Sequence, residues 1–160
     1  EDIIIYSNRY INSDRQDVAG IEAETSVKLS DRISLTASYT LLNGKTVMNI
    51  SDSTFTGLLR QPNHTFRIAV NYRPSVRWAF TVSSRLFGER NDVYFDNDLF
   101  VSRSVVLDSY SLVDLRAGYQ VAEKVWLQAE INNLFDSDYY EVYGYSVLGV
   151  NIHAGLRWSM

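Results

Sequence analysis

Hydrophobic and polar residues alternate with a period of two along most of this chain. The pattern is clearest near the C-terminus, where Ile152, Ala154, Leu156 and Trp158 share one face and polar residues separate them. Such alternation is typical of β-strands that have one apolar face. No segment has a convincing helical period. Eight strands are therefore predicted, at residues 3–6, 21–29, 33–41, 65–72, 77–86, 113–120, 125–132 and 150–160.

The predicted strands are long, and the connections between them alternate in length. Several strands reach about ten residues, which a tilted strand needs to cross a bilayer, whereas soluble strands are usually nearer ~5–6 residues. Bacterial membrane barrels have short periplasmic turns and long outer loops. The pattern therefore predicts a transmembrane antiparallel up-and-down β-barrel whose chain ends on the periplasmic side. The short connections are 30–32, 73–76 and 121–124, and the long ones are 8–19, 43–63, 88–109 and 136–149.

Composition narrows the classes of function. The 160 residues carry a formal net charge of −4 and include no long basic run, so nucleic acid is excluded as a partner. The chain has no cysteine, which excludes a disulfide framework and a thiolate metal site. No apolar run approaches the ~20 residues of a membrane helix, so a membrane crossing would have to use strands.

A period of two does not decide what the apolar face meets. In a soluble antiparallel protein the apolar face lies inward and the polar face meets solvent, whereas a membrane barrel inverts this order. Strand length and aromatic residues near strand ends, such as Tyr72, Trp78 and Trp158, favour the membrane barrel. The polar face, with charges of both signs, would then face a lumen or a plug. Its predicted charged members are Glu22, Glu24, Arg67, Arg85, Asp114, Arg116, Glu130 and Arg157.

Three motifs resemble those of TonB-dependent outer-membrane receptors. The segment Asn133–Tyr139 resembles the NLFDxxY motif that precedes the last strand of these receptors. Gly20–Glu22 resembles their GxE motif, and Leu59–His64 resembles the approach to one of their strands. The resemblance covers essentially the whole chain, and residues 140–149 are most similar to cobalamin receptors, followed by siderophore receptors. The chain departs from the family pattern at Val150, where many members have arginine, and at Met160, where most have phenylalanine.

The resemblance implies that residues 1–160 are the C-terminal part of a barrel of about 22 strands, a size for which plugged lumens are known. The plug domain and the TonB-contacting segment would be absent from this chain. The implied location is the bacterial outer membrane, and the implied function is import of a scarce large nutrient of the cobalamin, ferric siderophore or haem class. The implied partners are outer-membrane lipid, the N-terminal plug, the remaining barrel strands, TonB and the nutrient. No cofactor and no enzymatic activity are expected.

Two other functions stay open at this point. The first is a complete eight-stranded barrel with a structural or adhesive role, since eight is an allowed strand number. The strand at 3–6 would then have to pair with the strand at 150–160. The second is a hydrolase that uses one of the two histidines, His64 and His153, but no GxSxG motif accompanies them.

The presumed outer loops hold the candidate ligand contacts. Aromatic side chains are common there and could stack on a large ligand or pack a surface partner; packing of loop on loop is the alternative. The predicted ligand contacts are Arg90, Tyr94, Phe95, Tyr143 and Tyr145. The segment 92–98 has aspartates at alternate positions, a spacing compatible with calcium, but lacks the glycine and distal glutamate of an EF-hand loop. A solvated acidic loop is therefore the preferred interpretation, and no metal site is predicted.

Overall fold

The computed structural model describes the backbone of residues 15–50 and 53–159, and their side chains outside 47–50 and 53–56. All regular structure in these ranges is β-strand, and no helix in them is long and apolar enough to cross a membrane. The ten strands are β1 Arg15–Lys28, β2 Ile33–Ile50, β3 Ser53–Gly57, β4 His64–Ser75, β5 Trp78–Phe87, β6 Arg90–Asp96, β7 Val101–Leu107, β8 Tyr110–Ala122, β9 Val125–Asn132 and β10 Asn151–Trp158.

Seven of these strands form an antiparallel sheet in the order β1-β2-β4-β5-β8-β9-β10. β3 pairs with the far end of β2, and β6 and β7 form a separate hairpin. Apart from these insertions, each strand pairs with the next one along the chain, which is the up-and-down arrangement that the sequence predicts. Seven of the eight predicted strands are confirmed, and the eighth, at 3–6, lies outside the described residues, as does Met160.

The loop predictions at 43–63 and 88–109 are wrong in part. β2 continues to Ile50 and returns as β3, so the long second connection is largely a two-stranded ribbon. The β6–β7 hairpin occupies most of the third connection. Both ribbons extend beyond the main sheet, where polar and turn-forming residues interrupt the alternation that marks the other strands.

Register places apolar side chains opposite one another across the whole sheet. Val70 lies between Leu35 on β2 and Val82 on β5, and Ile131 lies between Leu115 on β8 and Ile152 on β10. No second layer covers this face in the described parts of the chain, and Ile152 is 71% exposed. The apolar face is therefore a continuous surface rather than the inside of a sandwich.

The short turns lie at one end of the strands, and the long connections lie at the opposite end. In the β1–β2 turn, the hydroxyl oxygen of Ser30 accepts hydrogen bonds from the backbone N–H groups of Arg32 and Ile33 at 3.2 and 3.1 Å. The end of β10 lies beside these short turns, since the N–H of Ser159 donates to the carbonyl of Lys124 in the β8–β9 turn at 3.0 Å. The alternation of connection lengths, with the chain ending on the side of the short turns, is thus confirmed.

Candidate functional site

The charged residues of the sheet share its polar face. The register between neighbouring strands places all eight of the predicted lumen-facing residues on the side opposite the apolar surface. Arg85 pairs with Asp114 at 2.8 Å between β5 and β8. Arg116 and Glu130, directly opposite on β8 and β9, form two hydrogen bonds of 3.1 and 2.9 Å. The two ion pairs link three adjacent strands across the polar face.

Other charges on this face have no ion-pair partner in the described parts of the chain. Glu22 and Glu24 lie together on β1, while Arg67 lies directly opposite another arginine, Arg85, in the β4–β5 register. Arg157 lies on β10, where its guanidinium is 6.0 Å from the centre of the Trp126 ring. The polar face therefore carries acidic groups without ion-pair partners on β1 and basic groups without them on β4 and β10. Its charges are not neutralised by pairs within the described sheet.

A loop cap covers the long-connection end of the polar face. We use this name for residues 58–62, the β6–β7 hairpin and residues 133–149 together. Thr65 on β4 and Leu112 on β8 both point to the polar side, yet they are 9% and 5% exposed because the cap lies over them. Leu58 and Leu107, which belong to the cap, are also buried, and Leu58 lies close to Gly44 on β2.

Asp92 joins the three parts of the loop cap. Its side chain is fully buried. One carboxylate oxygen accepts hydrogen bonds from Nε of Arg60 at 2.7 Å and from the backbone N–H of Val93 at 2.8 Å. The other oxygen accepts from the backbone N–H of Tyr143 at 2.8 Å. A buried carboxylate is stable only with such partners, so Asp92 holds residues 58–62 and 133–149 onto the hairpin.

Aromatic contacts fill the rest of the loop cap. The rings of Tyr94 and Tyr143 lie 4.4 Å apart, so the structure brings together two of the predicted ligand contacts. Tyr110 stacks on Tyr139 at 4.2 Å and on Phe87 at 4.8 Å. Burial raises the pKa of Tyr139, because desolvation penalises the tyrosinate. Tyr110 was not among the predicted contacts, although its place in β8, in phase with Asp114 and Arg116 on the polar face, could have identified it.

The other predicted ligand contacts lie in different surroundings. Phe95 is half exposed near the tip of the β6–β7 hairpin, where it meets the edge of Phe100 with ring centres 6.3 Å apart. Tyr145 is exposed. Arg90 is buried inside the cap, where its Nη2 donates to the carbonyl of Tyr140 at 2.6 Å. Arg90 therefore packs the cap from within, and its contact with a ligand stays a prediction.

The structure gives a physical reason for the asparagine of the NLFDxxY-like segment. The Asn133 side chain is buried and bonds Ser137 in both directions, with Nδ2 donating to the carbonyl at 2.9 Å and Oδ1 accepting from the N–H at 2.8 Å. The backbone N–H of Asn133 donates to Asp114 at 3.0 Å, which ties the turn to the polar face. Its φ of 52° is left-handed, a conformation that asparagine tolerates better than most residues.

The aspartate of the same segment fixes the entry into β10. Asp136 accepts a hydrogen bond from the backbone N–H of Val150 at 2.8 Å. A side chain at Gly149 would collide with the Asp136 carboxylate, so the glycine gives the carboxylate room to reach the backbone. The motif therefore shapes the last turn before the final strand.

The remaining candidate chemistry is occupied by structural contacts. Asp96 accepts from the N–H groups of Asp98 and Leu99, both at 3.1 Å, and pairs with Arg103 at 3.3 Å. Across residues 15–50 and 53–159 no group of three or more His, Cys, Asp or Glu residues is placed to hold a metal. His64 lies 2.7 Å from the Tyr39 hydroxyl on the apolar side, and His153 lies on the polar side of another strand.

These features define the class of protein: a section of an antiparallel up-and-down β-barrel wall with a loop cap at one end. The family model for the TonB-dependent receptor-like β-barrel matches residues 2–134. The chain belongs to this family, whose members are outer-membrane transport receptors and not enzymes.

Several solved structures have the same fold. The pyoverdine receptor FpvA of Pseudomonas aeruginosa is 23% identical with a TM-score of 0.72, over 91% of this chain and 22% of that one. The siderophore receptor PiuA of Acinetobacter baumannii is 19% identical with a TM-score of 0.69, over 89% and 22%. The copper transporter OprC is 22% identical with a TM-score of 0.71, over 91% and 23%. The chain spans about a fifth of the length of these proteins. Similarity to cobalamin receptors, expected from residues 140–149, stays a prediction.

Proposed function

We propose that this chain is part of the barrel of an outer-membrane transporter that imports a scarce, large nutrient of the ferric siderophore, haem or cobalamin class. The observation that carries the proposal is the pair of faces on one sheet. An uncovered apolar surface runs across seven strands, and the opposite surface is charged. In a barrel of this family the apolar surface meets lipid and the charged surface lines the lumen.

The two edges of the sheet support a barrel larger than the described strands. β1 and β10 are the edge strands, and they do not pair with each other in the described parts of the chain. Unpaired strand edges are not tolerated in lipid, because each unsatisfied backbone group there costs several kcal/mol. Further strands would therefore flank both edges. The alternative, a complete eight-stranded barrel, depends on a strand at 3–6 outside the described residues.

Charge on the polar face supports a plug as the partner of that face. Glu22, Glu24, Arg67 and Arg157 have no ion-pair partner in the described ranges. In a plugged lumen these side chains would pair with groups of the plug domain, and energy for import would reach the plug through TonB. The loop cap would face the outside of the cell, where loops on a rigid barrel commonly carry recognition. We assign ligand contact there to Tyr94, Phe95, Tyr143 and Tyr145.

Uptake by whole cells tests the proposal. Cells that lack the gene, and the same cells complemented with it, would be given radiolabelled ferric siderophores, haem or cobalamin, with and without an uncoupler. We expect the complemented cells alone to accumulate one class, and the uncoupler to abolish accumulation. Accumulation of none of the classes, or accumulation that the uncoupler leaves unchanged, would contradict energised import.

Membrane fractionation and the mass of the intact polypeptide test the alternative, a complete eight-stranded barrel. An antibody against residues 136–149 would detect the polypeptide in outer-membrane fractions. A species several times heavier than the 18.3 kDa of these residues supports the large receptor. A species of 18.3 kDa in the membrane would favour the eight-stranded barrel instead.

A further inference from the structure

Arg90 is a buried cation that lacks a carboxylate partner. Its side chain is 5% exposed, and no carboxylate lies within ion-pair distance in the described parts of the chain. Nη2 donates to the carbonyl of Tyr140 at 2.6 Å and to that of Asp108 at 3.5 Å, while Nε and Nη1 have no hydrogen-bond partner among the described residues. The guanidinium lies 4.6 Å from the centre of the Tyr110 ring. Buried charges are normally paired, because an unpaired one bears its desolvation cost alone.

The other arginines around the loop cap are already paired. Arg60 pairs with Asp92, Arg85 with Asp114, and Arg103 with Asp96. The carboxylate of Glu141 accepts a hydrogen bond from the Tyr110 hydroxyl at 3.5 Å and does not pair with Arg90. The cap as a whole carries more acidic than basic residues, yet within the described parts of the chain none of their carboxylates pairs with Arg90.

A cleft of about 330 Å³ adjoins this charge. Arg60, Arg90, Tyr110 and Glu141 are among the residues that line it. The volume is at the lower end of the range for small-molecule sites, ~300–1,000 Å³. The cleft lies where the loop cap meets the polar face, so a ligand that enters the lumen from the long-loop side would reach it.

We propose that this cleft binds an oxyanion of the carboxylate kind, and that the bound anion supplies the charge partner that Arg90 lacks. Arg60 also lines the cleft, but Asp92 already neutralises its charge, so Arg90 is the main contact of the anion. Nε and Nη1 of Arg90 are buried, so the anion reaches them only after a local rearrangement of the cleft lining. In the proposed transporter, the anion is a carboxylate group of the nutrient.

Binding of benzoate, with benzamide as the uncharged isostere, tests this site. The measurement uses the full-length protein in detergent and isothermal titration calorimetry. We expect benzoate to bind at least about tenfold more tightly than benzamide, since hydrogen bonds to a charged group are worth a factor of this size or more. Equal affinity for the two compounds, or no binding of benzoate, would overturn the proposal.

Two variants and a matched control locate the site. Arg90→Gln is expected to weaken benzoate binding about tenfold or more. The control is Arg103→Gln, which makes the same charge change on the same hairpin. It should change the affinity for benzoate by no more than about twofold, because Arg103 is paired and lies away from the cleft. Glu141→Gln removes a repulsive charge from the lining and should tighten binding about threefold. The last variant tests the site even if Arg90→Gln disturbs folding. Weaker binding in Glu141→Gln, or equal losses in the two arginine variants, would refute the assignment.

The inference rests on the proposed function in one respect only, which is that the anion belongs to an imported nutrient. Benzoate binding is measured without transport, so its absence leaves energised import untouched. Failed uptake with intact benzoate binding would instead remove the transport role and keep the anion site.

Discussion

An arginine placed on the apolar face of β10 tests which solvent that face meets. Leu156 is exposed in the chain and lies opposite Leu127 across the β9–β10 pair. A strand rises about 3.4 Å per residue, and a tilt of about 40° reduces this to about 2.6 Å along the membrane normal. Leu156 then lies about 4 Å from the centre of β10, well inside an apolar band about 25 Å tall.

Leu156→Arg is expected to reduce the free energy of unfolding by about 1–3 kcal/mol, because Leu156 lies between the midplane, where arginine costs about 2–4 kcal/mol, and the interface marked by Trp158. Gly155→Arg is the matched control, since it adds the same side chain one residue away on the polar face. A Cβ at Gly155 meets no atom within 4 Å, so its cost should be below about 1 kcal/mol, as for other surface changes. The measurement is urea unfolding of the full-length protein in phospholipid vesicles.

Leu156→Trp separates lipid from a protein core. Lipid adapts to a larger side chain, so this variant should be nearly neutral, whereas overpacking a protein interior costs about 1–3 kcal/mol. Equal costs for the two arginine variants would refute the assignment of the faces. A large loss in Leu156→Trp would show that protein rather than lipid covers this surface.

Three further predictions concern the loop cap and the turn before β10. Asp92→Ala removes the acceptor that joins the cap segments. It should lower the free energy of local opening of residues 139–149 by about 2–3 kcal/mol, measured by hydrogen exchange. Unchanged protection of these residues would contradict the role of Asp92. Gly149→Ala should cost about 1–2 kcal/mol by displacing a carboxylate, whereas Gly155→Ala should cost far less. Asn133→Asp loses the amide donor to Ser137 and should cost about 1–3 kcal/mol in urea unfolding; stability equal to that of the parent would sink the explanation given for the motif.

Sequence alone predicted the sheet well because the alternation that marks each strand is also what orients it. The strands that pass through the sheet keep one apolar face throughout, so period, length and facing agree, as at Val125–Asn132. β6 and β7 were missed because they form a hairpin outside the main sheet, in which β6 adds only one bridge to Leu59, and because they extend beyond the apolar surface. The segment Val101–Leu107 does carry β-branched residues in a strand-like run, and this signal could have located β7.

The loop cap was predictable only in its composition. The sequence identified an aromatic and acidic set of loops but not their contacts. It could not indicate that Asp92 bonds Arg60 and the backbone of Tyr143, since these partners are fixed by the positions of three separate connections. Nor could it separate Tyr94, which lies within the cap, from the exposed Tyr145.

The strand pairings of the sheet and the side-chain contacts of the loop cap differ in sequence separation, and this difference determines the order of folding. Most pairings in the sheet join strands that follow each other closely, so the wall can grow by adding neighbours with little loss of loop entropy. The contacts of the loop cap span longer stretches: 32 residues from Arg60 to Asp92, 50 from Arg90 to Tyr140 and 51 from Asp92 to Tyr143. Closing such loops is favourable only once the wall has brought their bases together. The cap should therefore form last, so sequence changes within it should leave assembly of the wall intact.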